Sequence, residues 1–151
     1  MITVYRFASE RFAHDLSGTG ASLFGGRWNS VGIPAVYTSF SISLALVELF
    51  IHKQTYEDIR INHLMEITID TTIDFRIDLK KLKKGWQHDA AYCQFMGNQL
   101  FSSTNTTAIS VPSAIIEEEN NLVLNPMAKD FAKKVKVKKV RPFNFDHRLF
   151  K

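Results

Sequence analysis

The stretch that organises this chain combines three glycines, an arginine and a tryptophan between two apolar segments: Phe24-Gly25-Gly26-Arg27-Trp28-Asn29-Ser30-Val31-Gly32. Adjacent glycines lack Cβ atoms and let a ligand approach the backbone closely. Arg27 suits a phosphate or pyrophosphate, because its guanidinium presents five donors in a rigid fork. The stretch therefore predicts a binding loop, with Trp28 placed to stack or pack. The alternative is a Gly-Gly turn with a surface arginine and a core tryptophan.

The composition indicates one globular domain over residues 1–151, because 45% hydrophobic and 12% aromatic residues suffice for a core and exclude disorder. No segment approaches the roughly 20 consecutive apolar residues of a membrane-spanning helix. The first residues also lack the layout of a signal peptide. We therefore expect a cytoplasmic protein that does not associate with membranes.

A single cysteine, Cys93, excludes an internal disulfide and fits a reducing compartment. Its neighbours are alanines, aromatic residues and a methionine. This setting predicts a small buried hydrophobic residue rather than a nucleophile.

The hydrophobic periodicity predicts short strands connected by irregularly inserted helices. The predicted strands cover residues 2–7, 35–38, 63–70, 73–78, 106–111, 122–124 and 134–138. Helices are predicted at residues 39–52 and 89–101, with a helical turn at 128–132. A polar connection without periodicity occupies residues 9–34, and a connection of that length is usually functional. The absence of strict βαβ alternation predicts an α+β fold, with mainly antiparallel strands and inserted helices.

The helix predicted at residues 39–52 is apolar on nearly all sides and is expected in the core. Glu48 is its only charged residue apart from His52 at its end, and burying an ionised carboxylate costs several kcal/mol unless it is paired or hydrogen-bonded. Glu48 is therefore either on a narrow polar edge or lining a cleft. A third option is a metal site in which Glu48 and His52 act together, but no second pair of ligands accompanies them, and no metal is predicted.

Two further polar side chains stand next to predicted strands. Tyr37 lies on the strand that follows the glycine-rich stretch. Pro112 keeps Val111 extended, so Ser113 is placed at a strand end.

The segment from residue 129 to residue 151 is strongly basic. Within it lysine and valine alternate from Lys134 to Lys138, which on a strand places the lysines on one face and the valines on the other. This alternation predicts a half-buried strand with a solvated lysine face. The alternative is attraction of an anionic partner, either nucleic acid or an acidic protein surface.

Taken together, the motifs and their order resemble the RES-domain family over almost the whole chain. The motifs are Tyr5-Arg6, Gly25-Gly26-Arg27-Trp28-Asn29 with Gly32, Val36-Tyr37-Thr38, Ala45-Leu46-Val47-Glu48, Val111-Pro112-Ser113, Asn125-Pro126 and Phe145-Asp146-His147-Arg148-Leu149. The arginine, glutamate and serine that give the family its name fall on Arg27, Glu48 and Ser113. One departure is Met127, where family members often have a histidine.

The resemblance implies a bacterial toxin of a toxin–antitoxin pair, with a fold similar to that of mono-ADP-ribosyltransferases. Such a toxin consumes NAD⁺ as a phosphorylase or glycohydrolase, with NAD⁺ as substrate, inorganic phosphate as a possible co-substrate and no further cofactor. It also implies a hetero-oligomer with a cognate antitoxin of the Xre type, through which alone nucleic acid would be bound.

The resemblance and the chemistry together suggest roles for six residues. Glu48 stabilises the ribose cation, Arg27 clamps the pyrophosphate and helps to place an attacking phosphate, and Tyr37 stacks on nicotinamide. Ser113 hydrogen-bonds the nicotinamide ribose or its amide, and Trp28 and Asn29 shape the pocket.

Two rival functions remain open at this stage. A mono-ADP-ribosyltransferase would use the same pocket to modify a protein. A non-enzymatic nucleic-acid-binding module would rest on the lysine-rich strand, although no known nucleic-acid motif supports it.

Overall fold

The strands form one sheet in the computed structural model, which describes residues 1–150. The strands are β1 (Ile2–Ser9), β2 (Val36–Ser39), β3 (Asn62–Ile69), β4 (Phe75–Arg76), β5 (Ala108–Pro112), β6 (Asn120–Leu124) and β7 (Val135–Pro142). Their order is β4-β5-β6-β2-β1-β3-β7, and every neighbouring pair is antiparallel except β4 with β5. The prediction of an α+β fold with mainly antiparallel strands is confirmed.

The sheet is nearly divided between β1 and β2. These strands share one register pair, Tyr5 opposite Ser39, whereas β1 pairs with β3 over its whole length. From Arg6 to Ser9, β1 diverges from β2 and has no register partner on it.

The part of the chain that the structure describes also contains five α-helices and four 3₁₀ turns, the last of which follows β7. The helices are α1 (Thr19–Phe24), α2 (Ile42–His52), α3 (Tyr56–Arg60), α4 (Ala90–Phe101) and α5 (Phe131–Lys134). The 3₁₀ turns are Glu10–Phe12, Leu79–Lys81, Trp86–His88 and His147–Phe150. Within residues 1–150, no helix has the length and apolar character needed to cross a membrane.

The core consists of two hydrophobic clusters. One cluster gathers Val4, Val36, Met65, Ile67 and Leu124 with their neighbours. The other packs Trp28, Trp86 and Cys93 against Val111 and Val123. Cys93 is fully buried, as predicted, and burial raises the pKa of its thiol.

The structure corrects the prediction that α2 is a core helix. Only Leu44 and Ala45 are buried, and Ile51 is 55% exposed. An apolar sequence allows a helix to be buried, but the neighbouring elements decide whether it is covered. The outer part of α2 belongs instead to an aromatic cluster. In this cluster the ring centroid of Phe150 lies 5.3 Å from that of Phe50 and 5.1 Å from that of Tyr56.

Two predicted segments are also different in the structure. The connection at residues 9–34 is not without secondary structure, because it contains a 3₁₀ turn and α1. The predicted strand at residues 73–78 is reduced to Phe75–Arg76. There one carboxylate oxygen of Asp74 accepts hydrogen bonds from the backbone N–H groups of Thr107 and Ala108.

The lysine-rich segment forms β7, an outermost strand of the sheet. Val135 is buried and Lys136 is exposed, as the alternation predicts. The alternation holds through Lys138, which is exposed, and ends at Lys139, which is exposed as well, because the register with β3 shifts between Glu66 and Ile67 and leaves Lys138 without an opposite residue.

Helix α4 fixes the glycine-rich loop by close backbone contact. A Cβ at Gly97 would lie 1.8 Å from the carbonyl oxygen of Trp28. One turn earlier in α4, Gln94 donates a hydrogen bond to the carbonyl oxygen of Gly26. Asn98, the residue after Gly97, accepts a hydrogen bond from the backbone N–H of Ser30 and donates one to its hydroxyl group. The loop is therefore held along one face of α4.

We expect Gly97→Ala to destabilise the protein by roughly 3 kcal/mol, because the new methyl group overlaps the Trp28 carbonyl in a loop that three hydrogen bonds to Gly26 and Ser30 hold against α4. Urea denaturation monitored by tryptophan fluorescence measures this change.

Gly20→Ala is the matched control. Gly20 lies in α1, and a Cβ there meets no atom within 4 Å. This variant should be neutral or stabilised by up to about 1 kcal/mol. Equal stability of the two variants would contradict the close packing of α4 on the loop.

Candidate active site

Asn29 is the centre of the glycine-rich loop. It is fully buried, and its Nδ2 donates to the carbonyl oxygens of Ala21 and Ile33, both at 2.8 Å. Its Oδ1 accepts a hydrogen bond of 2.6 Å from the hydroxyl of Tyr37. A Cβ at Gly26 would lie only 2.6 Å from that hydroxyl oxygen. Glycine at position 26 is thus required for the loop to close over Tyr37.

Tyr37 is bonded to the loop through its hydroxyl group. Besides donating to Asn29, the hydroxyl accepts a 2.9 Å hydrogen bond from the backbone N–H of Trp28. Burial raises the pKa of this phenol well above its ordinary value. The phenol therefore stays neutral and leaves its ring as the part available to a ligand.

Arg27 and Trp28 contact the turn Trp86–His88. Arg27 Nη1 donates a 2.9 Å hydrogen bond to the carbonyl oxygen of Gln87, and its guanidinium carbon lies 5.8 Å from the ring of Trp86. Trp28 is buried, with its ring 5.9 Å from that of Trp86. Trp28 is thus a core tryptophan that also lines a cleft, while Arg27 is held half-buried at that cleft rather than free on the surface.

Glu48 on α2 is fixed by two side chains from the β5–β6 part of the sheet. Its Oε1 accepts hydrogen bonds from the hydroxyl of Ser113 at 2.9 Å and from Nδ2 of Asn121 at 2.7 Å. Its Oε2 has no hydrogen-bond partner among residues 1–150. One carboxylate oxygen is therefore anchored and the other is available to a ligand.

Ser113 lies behind Glu48 rather than in the cleft. It is fully buried, and its Oγ accepts hydrogen bonds from the backbone N–H groups of Ile115 and Ile116 while donating its proton to Glu48. Asn121 is held in turn by the hydroxyl of Ser39, which donates to its Oδ1 at 2.7 Å. The sequence reasoning missed Asn121, because an asparagine at a strand start carries no signal of its contact with a distant helix.

Two adjoining chambers meet at Glu48. The first chamber, of about 610 Å³, is lined by Arg27, Trp28 and Tyr37, by the turn after Trp86 and by the end of β5. The second chamber, of about 690 Å³, is lined by the parted ends of β1 and β2, by α1 and by α2. The residues that line both are Gly20, Ala21, Tyr37, Glu48, His52 and Asn121. Each volume falls within the roughly 300–1,000 Å³ of small-molecule sites.

Of the predicted site residues, the structure brings Arg27, Trp28, Tyr37 and Glu48 together on the walls of the first chamber. Asn29 and Ser113 lie behind them and hold Tyr37 and Glu48 in place. His52 lines both chambers beside Glu48, but residues 1–150 contain no group of three or more potential ligands from His, Cys, Asp and Glu that could hold a metal ion.

Arg6 is a second guanidinium that the sequence reasoning did not assign to the site. It lies on β1 at the wall of the second chamber, and none of its nitrogens has a hydrogen-bond partner among residues 1–150. Burial lowers its pKa, and the nearby carboxylate of Asp15 partly counters that effect. The signal was available in the Tyr5-Arg6 pair, since an arginine in an otherwise apolar strand needs a reason.

Comparison with protein families shows that the family described as RES domain matches residues 3–146. Among individual proteins, "Toxin Res" of Photorhabdus laumondii subsp. laumondii is 38% identical over 152 residues, covering 98% of this chain and 97% of the relative. "Prs ADP-ribosylating toxin" of Sphingobium sp. is 35% identical over 144 residues, covering 92% and 89%.

A solved structure shares the fold. The crystal structure of the M. tuberculosis MbcT-MbcA toxin-antitoxin complex contains a chain that matches with a TM-score of 0.75 at 22% identity. The match covers 95% of this chain and 84% of the other chain.

We expect Tyr37→Phe to lower the free energy of unfolding by roughly 1–3 kcal/mol, because it leaves the Trp28 N–H and the Asn29 Oδ1 without their partner. Urea denaturation at pH 7.5 measures the loss. Tyr56→Phe is the matched control, since no hydrogen bond of the Tyr56 hydroxyl is found in residues 1–150.

The same variant tests a dependence on pH. The pKa of Tyr37 is raised on folding, so its contribution to stability is complete below the unfolded pKa of about 10 and is lost as pH rises above that value. The stability of the native sequence should therefore fall more steeply between about pH 10 and pH 11 than that of Tyr37→Phe. Equal slopes would show that the phenol is not buried.

Proposed function

The chain belongs to the RES domain family, and from that membership we propose that it is the toxin of a toxin–antitoxin pair that degrades NAD⁺ by cleaving the bond between nicotinamide and ribose. The toxin assignment is supported by relatives named as toxins over nearly the whole length of the chain. The reaction is argued from the site.

The observation that carries the reaction is the state of Glu48. A carboxylate with one oxygen anchored by Ser113 and Asn121 and the other unbonded stands where two chambers meet. Orienting a charged group in this way removes the cost of reorganising it during the reaction. The arrangement suits a step in which positive charge develops on a bound substrate.

Cleavage of NAD⁺ is such a step. Nicotinamide is attached as a cationic pyridinium and leaves as a neutral base, so its departure needs no general acid. The ribose that remains has oxocarbenium character, and an adjacent carboxylate stabilises it, as in glycoside hydrolysis. We assign this role to Oε2 of Glu48.

The two arginines supply the anion contacts. The pyrophosphate follows directly after the nicotinamide ribose, and Arg27 in the first chamber is assigned to clamp it and to help place an attacking phosphate. Arg6 offers a second guanidinium from the second chamber. The ring of Tyr37, whose hydroxyl is already bonded, is assigned to stack on nicotinamide with Trp28 as the adjoining wall.

Ser113 and Asn121 act through Glu48 in this proposal. Both donate to Oε1, and Ser113 has no exposed surface from which to contact ribose directly. They are positioning residues. Their contribution is to hold the carboxylate in one orientation against the ribose.

The acceptor of the ribose is phosphate or water, and we favour phosphate because each chamber contains an arginine. A specific observation also supports a second candidate. The Sphingobium relative is named as an ADP-ribosylating toxin for Prs, so the same pocket would transfer ADP-ribose to a protein.

We also propose an antitoxin of the Xre type as partner. The chain in the M. tuberculosis toxin-antitoxin complex supports a complex of this kind. Co-expression with the adjacent gene, followed by size-exclusion chromatography, tests whether a hetero-oligomer forms.

The reaction is tested by incubating purified protein with NAD⁺, with and without inorganic phosphate, and identifying the products by liquid chromatography and mass spectrometry. Nicotinamide with phosphorylated ADP-ribose identifies a phosphorylase, and ADP-ribose in both conditions identifies a hydrolase. Proteins of a cell extract that gain the mass of ADP-ribose after incubation with the enzyme and NAD⁺ identify the transferase. Intact NAD⁺ with folded, antitoxin-free protein would refute the proposal.

Glu48→Gln should lower turnover of NAD⁺ by roughly 100-fold or more, because the shape and the Oε1 hydrogen bonds are kept while the charge is lost. Initial rates of nicotinamide release measure the effect, and circular dichroism verifies the fold. Glu118→Gln, at an exposed position outside both chambers, is the matched control. Unimpaired turnover by folded Glu48→Gln would remove Glu48 from the mechanism.

Arg27→Lys should raise the KM for NAD⁺ about ten-fold or more, because an ammonium group does not reproduce the bidentate contact of a guanidinium. Steady-state kinetics give the KM, and calorimetric titration with ADP-ribose gives the affinity independently of turnover. Arg76→Lys, on exposed β4, controls for the loss of any arginine. If the ADP-ribose affinity of Arg27→Lys equals that of the native sequence, Arg27 does not bind the pyrophosphate.

A further inference from the structure

The second chamber owes its existence to the division of the sheet. Residues 6–9 of β1 and residues 36–38 of β2 lie beyond the register pair Tyr5–Ser39, and residues from both parted strands line the chamber. The chamber opens at Glu48 and Tyr37, which also line the first chamber. A molecule bound at Glu48 thus has space on both sides of the carboxylate.

The rim of the second chamber is apolar and exposed. Phe12 is 51% exposed, Leu23 is 63% exposed and Phe24 is 85% exposed, and all three line the chamber. They come from two separate elements, the turn Glu10–Phe12 and the end of α1. A group of large exposed apolar side chains at the edge of a cavity marks a binding surface rather than packing.

The inner wall of the same chamber carries Arg6, whose guanidinium has no hydrogen-bond partner among residues 1–150 and is only partly balanced by the nearby carboxylate of Asp15, which lines the same chamber. The guanidinium of Arg6 inside and the flat rings of Phe12 and Phe24 outside match a phosphate followed by an aromatic base. The adenylate half of NAD⁺ has these two parts in this order.

The contrast between the chambers sets the orientation. The walls of the first chamber are fixed, since Trp28 is buried and Tyr37 is bonded through its hydroxyl. A ring at the reaction centre has to be held in one place, which favours nicotinamide there. Adenine takes no part in the reaction and needs only a stacking surface, which exposed phenylalanines supply.

We propose that the second chamber is the subsite for the adenosine monophosphate half of the substrate, with the adenine stacked on the rim formed by Phe12, Leu23 and Phe24. This subsite rests on the proposed cleavage of NAD⁺. It makes the protein selective for the dinucleotide over nicotinamide mononucleotide, which has the same scissile bond and lacks the adenylate half.

The test compares the two substrates in the rim variants Phe12→Ala and Phe24→Ala. Loss of base stacking should lower the ratio of kcat/KM for NAD⁺ to kcat/KM for nicotinamide mononucleotide by about ten-fold. Phe95→Ala is the matched control, because Phe95 is 63% exposed on α4 and lines neither chamber. An unchanged ratio in both rim variants would overturn the subsite.

A second readout separates failure of the subsite from failure of the proposed function. Calorimetric titration with adenosine monophosphate needs no turnover, and we expect affinity in the native sequence that falls about ten-fold in Phe24→Ala and not in Phe95→Ala. Native protein that binds adenosine monophosphate in this way but leaves NAD⁺ intact would refute the reaction and keep the subsite. Rim variants that bind adenosine monophosphate normally but fail to bind the antitoxin would overturn the subsite and assign the rim to that partner.

Discussion

The rest of the structure depends on the single register pair between β1 and β2, Tyr5 opposite Ser39. With full pairing, the sheet would leave no space between these strands and no second chamber. With no pairing, the two parts of the sheet would not be joined at this point. One pair keeps the sheet continuous while opening it next to the carboxylate. The second chamber is thus a consequence of strand geometry, whereas the glycine-rich loop forms a wall of the first chamber.

The hydrogen bonds of Glu48 join the two sides of that opening. Glu48 lies on α2, which packs on β1 and β2, while Ser113 follows β5 and Asn121 is the second residue of β6. A half-buried carboxylate is costly when unpaired, and two donors to one oxygen offset part of that cost. The same two donors also orient the group. The same two hydrogen bonds therefore hold α2 in its position and orient the carboxylate of Glu48 for the proposed reaction.

Most helices and strands of this fold could be predicted from the sequence, but their burial and the contacts between distant side chains could not. The strands at residues 2–7 and 63–70 and helix α4 were predictable from local periodicity, and the motif resemblance identified Arg27, Tyr37 and Glu48. The exposure of α2 was not predictable, because it depends on which distant elements cover the helix. The bonds of Ser113 and Asn121 to Glu48 join residues 65 and 73 positions apart in the sequence. Such contacts are set by the strand order, which periodicity does not report.

The position of the lysine-rich strand β7 in the sheet suggests a structural reason for its charge. β7 is one of the two edges of the sheet, and an uncovered edge offers its free backbone groups to the strands of other molecules. Exposed Lys136, Lys138 and Lys139 repel such a partner, and the irregularity opposite Glu66 distorts the edge that it would have to match. At the other edge β4 has only two residues. Both edges thus resist aggregation, and the cationic strand is explained by the need to keep a sheet-rich protein from polymerising with its own copies.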